Sequence, residues 1–446
     1  MKRKSVDMTS GSIIKGLFSL TVPIMVMNVA QSLFGILDMA VLKAFGFESA
    51  VGAVGATGML TVLCTSLLIG ISAGAAVVVA RYIGSGMKRR AETAITTSLI
   101  FVLCAGAVLL TVGGIFAENF LVMTNCHYTI LPDATKYLRI YFLGIPVLLL
   151  YNFSASMLRA TGDTRRPMYF LFAGCICKLV LTVIFIKLSD RGVESVGFAT
   201  VMANLVACVL SVGALLKNKE VVDVRLSKLR FDARELGAIL YNGVPAGVQS
   251  SLYAFANVVI TSAVNSFGPD ATAGIAIANQ YDGILYQISY APSLATIPYV
   301  AQNMGAGRTD RVKKTLICSV IITLGFGASL GALSAIFSRE LSYFLSSSPA
   351  VVEYSVQKMV IVSATYFICG INEVLGGTLK GMGKPIAPAV TSLVYLCLLR
   401  IVWVYFVFPY VRNMTFLYAV WPIGWTLSGI TLLFILVHRY HLQKRI

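Results

Sequence analysis

Long apolar stretches alternate with short polar segments along the whole chain. Runs of about 20 predominantly apolar residues, the length that crosses the hydrocarbon core of a bilayer as a helix, recur about a dozen times. None of the segments between them is long enough to form a soluble domain. The pattern predicts an all-α membrane protein with about twelve transmembrane helices. The expected spans lie roughly at residues 17–42, 54–80, 94–116, 136–158, 167–187, 195–216, 237–265, 272–300, 315–337, 355–379, 386–409 and 416–437.

The composition agrees with this pattern, since 57% of the residues are hydrophobic and 12% are charged. The net charge of +17 would point to nucleic acid if it were clustered on a soluble surface. Instead, most Lys and Arg lie near the two termini and in alternate loops, as the positive-inside rule describes for cytoplasmic segments. We therefore expect a multi-pass protein of the bacterial plasma (inner) membrane, with both termini cytoplasmic and with membrane lipid, but not nucleic acid, as a partner.

The cysteines and histidines exclude several kinds of site. Most of the nine cysteines fall inside predicted spans, where they act as small apolar packing residues and imply no disulfide framework. The three histidines lie outside the predicted spans, so we expect no intramembrane metal site. An intramembrane enzyme would need a nucleophile facing a base, or metal ligands facing one another. We expect neither an enzyme nor a cofactor.

The sequence contains an internal repeat. Pro23, in "TVPIMV", recurs as Pro245, in "GVPAGV", at an offset of 222, and the motif around Gly46 recurs at the same offset. The motifs "IGSG" and "MLRATG" recur as "MGAG" and "TLKGMG" at an offset of 221. Each half contains about six spans, an even number, so the halves should have the same orientation in the membrane. We predict two six-helix lobes, residues 1–220 and 221–446, around a central cavity that opens alternately to the two faces.

Seven motifs in order resemble the multidrug and toxic compound extrusion (MATE) transporters. That resemblance implies a secondary transporter, expected as a monomer, that exports amphipathic, often cationic, small molecules in exchange for H⁺ or Na⁺. The seventh span contains no acidic residue, which makes the chain more similar to the DinF-like bacterial branch. The motifs are "FGILDMAVLKAFG", "GVPAGVQSSLYAFANVVITSAVNSFG", "AQNMGAGR", "LRATGDTRRP", "LGGTLKGMGKP", "LLRIVWVYFVFP" and "WPIGW".

Asp38 and Lys178 are the first pair of interest among the few ionisable residues inside the spans. A charge in hydrocarbon needs a partner, water or a proton, so Asp38 is either a structural partner for a cation or a carboxylate that binds and releases an ion. The resemblance implies an asparagine and an aspartate facing Asp38, where this chain has Lys178 and Thr182. An ammonium has no lone pair for a metal, which favours H⁺ over Na⁺. Lys178 lies about 16 Å from Pro167, too far to reach the cytoplasmic surface, so we expect it to pair with ionised Asp38.

Glu373, Asp282 and Arg400 are the remaining candidates inside the membrane. Glu373 lies at an offset of 221 from Asn152, and the small residues around it would let helices or water approach closely. Asp282 is either an ion-coupling group or a hinge-stabilising partner of Arg400. We predict Asp38, Lys178, Glu373 and Asp282 as ion-coupling residues. The residues predicted to bind substrate are Asn28, Gln31, Asn152, Thr182, Thr200, Asn204, Tyr253, Asn257, Gln280, Gln287 and Arg400.

Two further expectations concern packing and the main alternative function. The G-x-x-x-G segments "GISAG" and "GASLG" predict close helix packing within the chain rather than dimerisation. A flippase for lipid-linked saccharides is the alternative function, because its architecture is related. Such a protein should line its cavity with several cations for diphosphate, and this chain offers only Lys178 and Arg400 well inside the predicted spans.

Overall fold

The computed structural model describes residues 6–124, 126–189, 192–218, 223 and 229–443. Within these ranges the ordered elements are helices, and no β-strand occurs. The helices are α1 (Ile13–Ala44), α2 (Glu48–Gly84), α3 (Lys88–Met123), α4 (Leu131–Ala160), α5 (Arg165–Ser189), α6 (Gly192–Leu216), α7 (Ala233–Asn265), α8 (Pro269–Gly305), α9 (Thr309–Ile336), α10 (Ser338–Leu345), α11 (Pro349–Val362), α12 (Tyr366–Gly381), α13 (Ile386–Ser392), α14 (Leu399–Val402), α15 (Met414–Tyr418) and α16 (Val420–Gln443).

The helices confirm the prediction of an all-α membrane protein. Ten stretches of the described residues are long and apolar enough to cross a membrane. The other two predicted spans correspond to α7 and α8, which have 33 and 37 residues but carry more polar side chains. A helix needs about 20 residues to cross the hydrocarbon core, so both have sufficient length.

Two predicted spans are composite helices. The span predicted at residues 355–379 consists of α11, a 3₁₀ turn at Ser363–Thr365, and α12. The next span begins with α13 and continues through a π-helical turn at Leu393–Leu398, α14, and a second π-helical turn at Trp403–Val407. A π-helical turn accommodates an extra residue in a helix, so the side chains that follow it change their direction.

The described residues form two compact units. The first unit contains Val6 and the residues from Val26 to Val248, and the second contains Asp7–Met25 and the residues from Gln249 onward. The breaks fall within one turn after the helix-interior prolines Pro23 of α1 and Pro245 of α7, each of which removes a backbone hydrogen bond. These units differ from the predicted lobes in the assignment of residues 7–25 and of the described residues between 221 and 248. The predicted lobe boundary at residue 220 lies outside the described residues and stays a prediction.

Both G-x-x-x-G segments pack against another helix of the same unit. In the first unit, a Cβ added to Gly70 of α2 would lie 2.6 Å from the Cα of Gly247 in α7. In the second unit, a Cβ on Gly327 of α9 would lie 3.1 Å from the Cα of Phe367 in α12. Only glycine allows the backbones to approach this closely. The predicted packing within the chain is therefore confirmed.

Replacing Gly74 by alanine is expected to destabilise the protein by about 1–3 kcal/mol, because the added Cβ would lie 2.5 Å from the Cα of Gly243 and force α2 away from α7. Gly58→Ala is the matched control, since a Cβ at Gly58 on the same helix meets nothing within 4 Å. Thermal unfolding of the purified protein in detergent measures both effects. Equal unfolding temperatures for the two variants would contradict the proposed packing.

The N-terminal segment before α1 is anchored within the second unit. Arg311 of α9 donates hydrogen bonds to the carbonyls of Ser10 at 3.1 Å and Gly11 at 3.2 Å, and Asn303 donates one to the carbonyl of Met8 at 2.9 Å. The hydroxyl of Ser10 donates to the carboxylate of Asp7 at 2.6 Å, and this bond holds the pKa of Asp7 below its usual value. The segment therefore adopts a defined turn against the start of α9.

Candidate functional site

Asp38 and Lys178 form an ion pair inside the first unit. The Lys178 ammonium on α5 donates a hydrogen bond to Oδ2 of Asp38 on α1. The side chain of Lys178 is 18% exposed and that of Asp38 is 9% exposed. The predicted pairing is present, and Lys178 does not extend to the surface. An enclosed pair of opposite charges in an apolar helix bundle is the arrangement expected when each charge needs the other.

The Asp38 carboxylate has unused hydrogen-bonding capacity. Its Oδ1 atom is buried and has no hydrogen-bond partner in the described part of the chain. The same holds for the hydroxyl of Thr182, which is fully buried one helical turn after Lys178 and faces the same side of α5. A buried polar atom without a partner costs about 1–3 kcal/mol. Oδ1 can therefore take up a proton without losing an existing hydrogen bond.

Two tyrosines of α4 lie beside this pair. The rings of Tyr137 and Tyr141 stack with centroids 6.3 Å apart, and Tyr137 interacts electrostatically with Asp38. Tyr141 also forms a side-chain hydrogen bond with Thr65 of α2. The sequence analysis did not select these residues, because most tyrosines in membrane proteins are packing or interface residues. Helices α4 and α5 thus contribute to the surroundings of Asp38 on α1, and Tyr141 connects α4 to α2.

The other first-unit candidates are dispersed over several helices. Asn28 is buried and Gln31 is exposed. The amide of Asn152 donates to the carbonyl of Leu148 at 2.9 Å, and the hydroxyl of Thr200 donates to the carbonyl of Val196 at 2.8 Å. Each of these side chains thus bonds to a backbone carbonyl of its own helix. Asn204 is half-buried. The substrate-binding roles of these five residues stay predictions.

Glu373 lies in a hydrogen-bonded group inside the second unit. Its side chain is buried in α12 and is hydrogen-bonded to the hydroxyl of Tyr253 in α7. That hydroxyl also bonds Ser392 at 3.2 Å, and Gln249 donates to Ser392 at 2.8 Å. The sequence analysis found Glu373 and Tyr253 but missed Gln249 and Ser392, since a glutamine and a serine in membrane helices carry no distinctive signal.

The glycines near Glu373 allow close helix packing. A Cβ on Gly377 would lie 3.2 Å from the carbonyl oxygen of Ser293 in α8, and one on Gly370 would lie 3.3 Å from that of Ser289. The hydroxyl of Ser293 also donates to the carbonyl of Glu373 at 2.7 Å. The close helix approach that the small residues around Glu373 predict is therefore present.

Asp282 pairs with Lys358. The alternative prediction, that Asp282 is a partner of Arg400, is therefore wrong. Oδ2 of Asp282 lies 2.8 Å from the Lys358 ammonium, and the hydroxyl of Ser363 donates to Oδ1 at 3.1 Å. The side chains of Asp282 and Lys358 are only 8% and 4% exposed. Lys358 was missed because it lies near the start of a predicted span, where a lysine ordinarily extends to the interface. Only the fold shows that α11 turns this ammonium inward.

Arg400 contacts an amide and an aromatic ring. It is 5% exposed, and its Nη1 donates to Oδ1 of Asn257 at 2.8 Å. Its guanidinium lies 5.0 Å from the ring centroid of Trp421, and the Lys358 ammonium lies 5.6 Å from the same centroid. Within the described ranges Arg400 forms no ion pair with a carboxylate. Of the other predicted pocket residues, Gln280 is exposed and Gln287 is half-buried.

The comparison with known families identifies the chain. A family model described as MatE matches residues 23–184 and, a second time, residues 245–406. The two matches together cover well over half of the chain. The chain belongs to the MatE family. Both ends of the two matches are related by 222 residues, which supports the internal repeat predicted from the motifs. Members of this family are transporters rather than enzymes, as the sequence analysis expected.

Relatives of this MatE protein cover most of its length. It is 26% identical over 381 residues to the "Probable multidrug resistance protein YoeA" of Bacillus subtilis, covering 83% of this chain and 82% of the relative. It is 27% identical over 376 residues to the "FAD transporter" of Shewanella oneidensis, covering 82% of each chain. The fold of a solved MOP superfamily transporter from Pyrococcus furiosus is similar, with a TM-score of 0.90 at 19% identity over 99% of each chain.

Proposed function

We propose that this MatE protein exports amphipathic small molecules by alternating access in exchange for inward H⁺. The Bacillus relative is named for multidrug resistance, which supports drug efflux. The observation that carries the choice of H⁺ is the enclosed pair of Asp38 and Lys178. The basic loops favour a bacterial plasma membrane location with both termini cytoplasmic, and the bacterial relatives are consistent with this proposal.

The pairing of Asp38 favours a proton over a sodium ion. Na⁺ needs several oxygen ligands, but the ammonium of Lys178 occupies the Asp38 carboxylate and offers no lone pair. A proton needs only one carboxylate oxygen, and Oδ1 of Asp38 has no hydrogen-bond partner among the residues described. Protonation neutralises Asp38 and removes the attraction that holds Lys178 on α5 against α1. The pair thus acts as a two-state element that responds to proton binding.

Coupling follows from this two-state element. If protonation weakens the contact between α1 and α5, then any cargo that favours one state of this contact changes the proton affinity of Asp38, and the effect is reciprocal. The driving force is sufficient, since one charge that crosses a potential of 100 mV releases about 2.3 kcal/mol.

Glu373 is the second carboxylate that we propose for ion coupling. It is buried, attracted electrostatically by Lys380 of the same helix and hydrogen-bonded to Tyr253, and it forms no close ion pair in the described ranges. Asp282 is more completely neutralised, because Lys358 and Ser363 both contact its carboxylate. Its ion-coupling role stays a prediction, and a variant described in the Discussion tests it.

The family resemblance and one relative point to cargoes of opposite charge. The family resemblance implies cationic molecules, whereas the Shewanella relative is named for FAD, an anionic dinucleotide. The flippase alternative receives no support from the structure. Lys178 is neutralised by Asp38 and Lys358 by Asp282, and Lys380 interacts electrostatically with Glu373, which leaves Arg400, among these four described cations, available for a diphosphate.

Reconstituted transport tests the proposed coupling. In proteoliposomes, an imposed pH gradient alone is expected to drive export of the fluorescent cation ethidium, and an imposed Na⁺ gradient alone is not. Lys178→Asn is expected to abolish this selectivity for the pH gradient, because the tethered cation is removed. Lys43→Asn is the matched control, since Lys43 is exposed at the end of α1. Export driven only by Na⁺, with Lys178→Asn unaltered, would refute the proposal.

A further inference from the structure

Arg400 occupies the position in the second half that Lys178 occupies in the first. Before these cations in the chain, Pro167 of the first half corresponds to Pro388 of the second half at an offset of 221. From the cations onward, the segment "KLVLTVIFI", which begins at Lys178, corresponds to "RIVWVYFVF", which begins at Arg400, at an offset of 222. The second copy therefore contains one additional residue between these points. The π-helical turn Leu393–Leu398 lies in this interval, and a turn of this kind accommodates one inserted residue. The π-helical turn thus brings Arg400 to the position in the second half that corresponds to Lys178 in the first.

Each cation contacts the first helix of its own half. Lys178 pairs with Asp38 on α1, and Arg400 donates to Asn257 on α7. The offset of 222 relates Asp38 to Ile260, which has no charge. Asn257 lies about one turn before Ile260 on the same helix. The second half thus keeps the cation of the repeat but lacks the carboxylate that neutralises it in the first half.

The surroundings of Arg400 carry an uncompensated positive charge. Lys358, the other cation over the Trp421 ring, is neutralised by Asp282. The carboxylate of Glu373 interacts electrostatically with Lys380 and is hydrogen-bonded to Tyr253, and it forms no ion pair with Arg400 within the described part of the chain. A guanidinium has five N–H donors, and only one of those of Arg400 has an acceptor in the described ranges. A buried charge of this kind is costly until an anion reaches it.

We propose that Arg400, supported by Asn257, binds an anionic group of the transported molecule, a carboxylate or a phosphate. This inference rests on the proposed transport function and specifies its preferred substrates as amphipathic molecules that carry an acid, including zwitterions. The guanidinium fork matches the two oxygens of such a group. In the first half the protein supplies the anion itself, as Asp38, and in the second half the cargo supplies it. Asn257 is exposed and accepts the hydrogen bond of the buried guanidinium, and the proposal places the anion on this side of Arg400.

The decisive variant gives Arg400 an internal carboxylate. Asn257→Asp changes the side chain from an amide to an acid of nearly equal size and would reproduce the Asp38–Lys178 pair in the second half. Rhodamine B, which has a carboxylate, and its methyl ester, which lacks one, are the matched probes. We expect the wild-type protein to bind rhodamine B on the order of 10-fold more tightly than the ester, as for a charged hydrogen bond. Asn257→Asp should remove this preference while the unfolding temperature rises.

Control variants separate the site from general effects of charge. Asn265→Asp adds a carboxylate to the exposed end of the same helix and is expected to keep the preference. Arg400→Gln should lose the preference for rhodamine B over its ester, and Arg400→Lys should keep only part of this preference. Fluorescence anisotropy of the detergent-solubilised protein measures binding without ion coupling. An unchanged preference in Asn257→Asp would overturn this inference. Failure of a pH gradient to export either probe, with the preference in binding intact, would instead overturn the proposed function.

Discussion

Replacing Asp38 by asparagine is expected to abolish pH-driven efflux, because asparagine cannot take up the proton that the carboxylate exchanges. The same change removes the partner of Lys178, whose ammonium lies inside the first unit. Loss of one member of a buried ion pair costs about 3–5 kcal/mol, and partial exposure of Lys178 places the expected loss at the lower end of this range. Export of ethidium from proteoliposomes measures the first effect, and thermal unfolding in detergent measures the second.

The double variant Asp38→Asn/Lys178→Met separates coupling from stability. It removes both charges, so the unfolding temperature should return toward that of the wild-type protein while pH-driven efflux stays absent. Glu353→Gln is the matched control, since Glu353 forms a mostly exposed ion pair with Arg339. A surface pair contributes about 0–1 kcal/mol, so neither transport nor stability should change. Efflux that persists in the double variant would show that Asp38 is only a structural partner.

Replacing Lys358 by methionine is expected to cause the largest loss of stability, about 3–5 kcal/mol, because Asp282 would remain buried with only Ser363 as a partner. The change also removes the ammonium from the face of Trp421. Thermal unfolding of the purified protein measures the loss. The double variant Asp282→Asn/Lys358→Met removes both charges and should recover most of it. A single variant as stable as the wild-type protein would show that the pair is not required for folding.

Transport by the double variant Asp282→Asn/Lys358→Met decides the role of Asp282. We expect pH-driven efflux to persist, because Lys358 and Ser363 enclose the carboxylate and limit access of a proton. Loss of efflux at restored stability would instead support the predicted ion-coupling role of Asp282. The comparison with Asp38→Asn/Lys178→Met is direct, since both double variants remove one buried acid and one buried lysine.

Much of the fold could be predicted from local sequence. Apolar runs longer than about 20 residues can satisfy their backbone in lipid only as helices, and this constraint located the spans. The pairing of Lys178 followed from its distance along α5 from the nearest interface. The packing of Gly70 followed from its spacing to Gly74, since small residues one turn apart make a surface for another helix.

The second-unit site could be predicted only in part. The sequence identified Asp282 and Arg400 as unusual charges, but proximity along the chain does not determine which of two distant cations meets an acid. The structure pairs Asp282 with Lys358 and directs Arg400 to Asn257. Gln249 and Ser392 entered the group around Glu373 because α7 and α13 meet there, which no local pattern indicates.

The sequence by itself determined the membrane helices, the repeat and most of the buried charges, Lys358 excepted, because hydrophobic length, motif spacing and the cost of charge in lipid are properties of a single segment. Only the tertiary structure decided which charges neutralise one another and which one is left without a counter-charge. That outcome depends on helix rotation and on single-residue insertions such as the turn at Leu393–Leu398, which change the direction of a side chain without changing the apolar pattern.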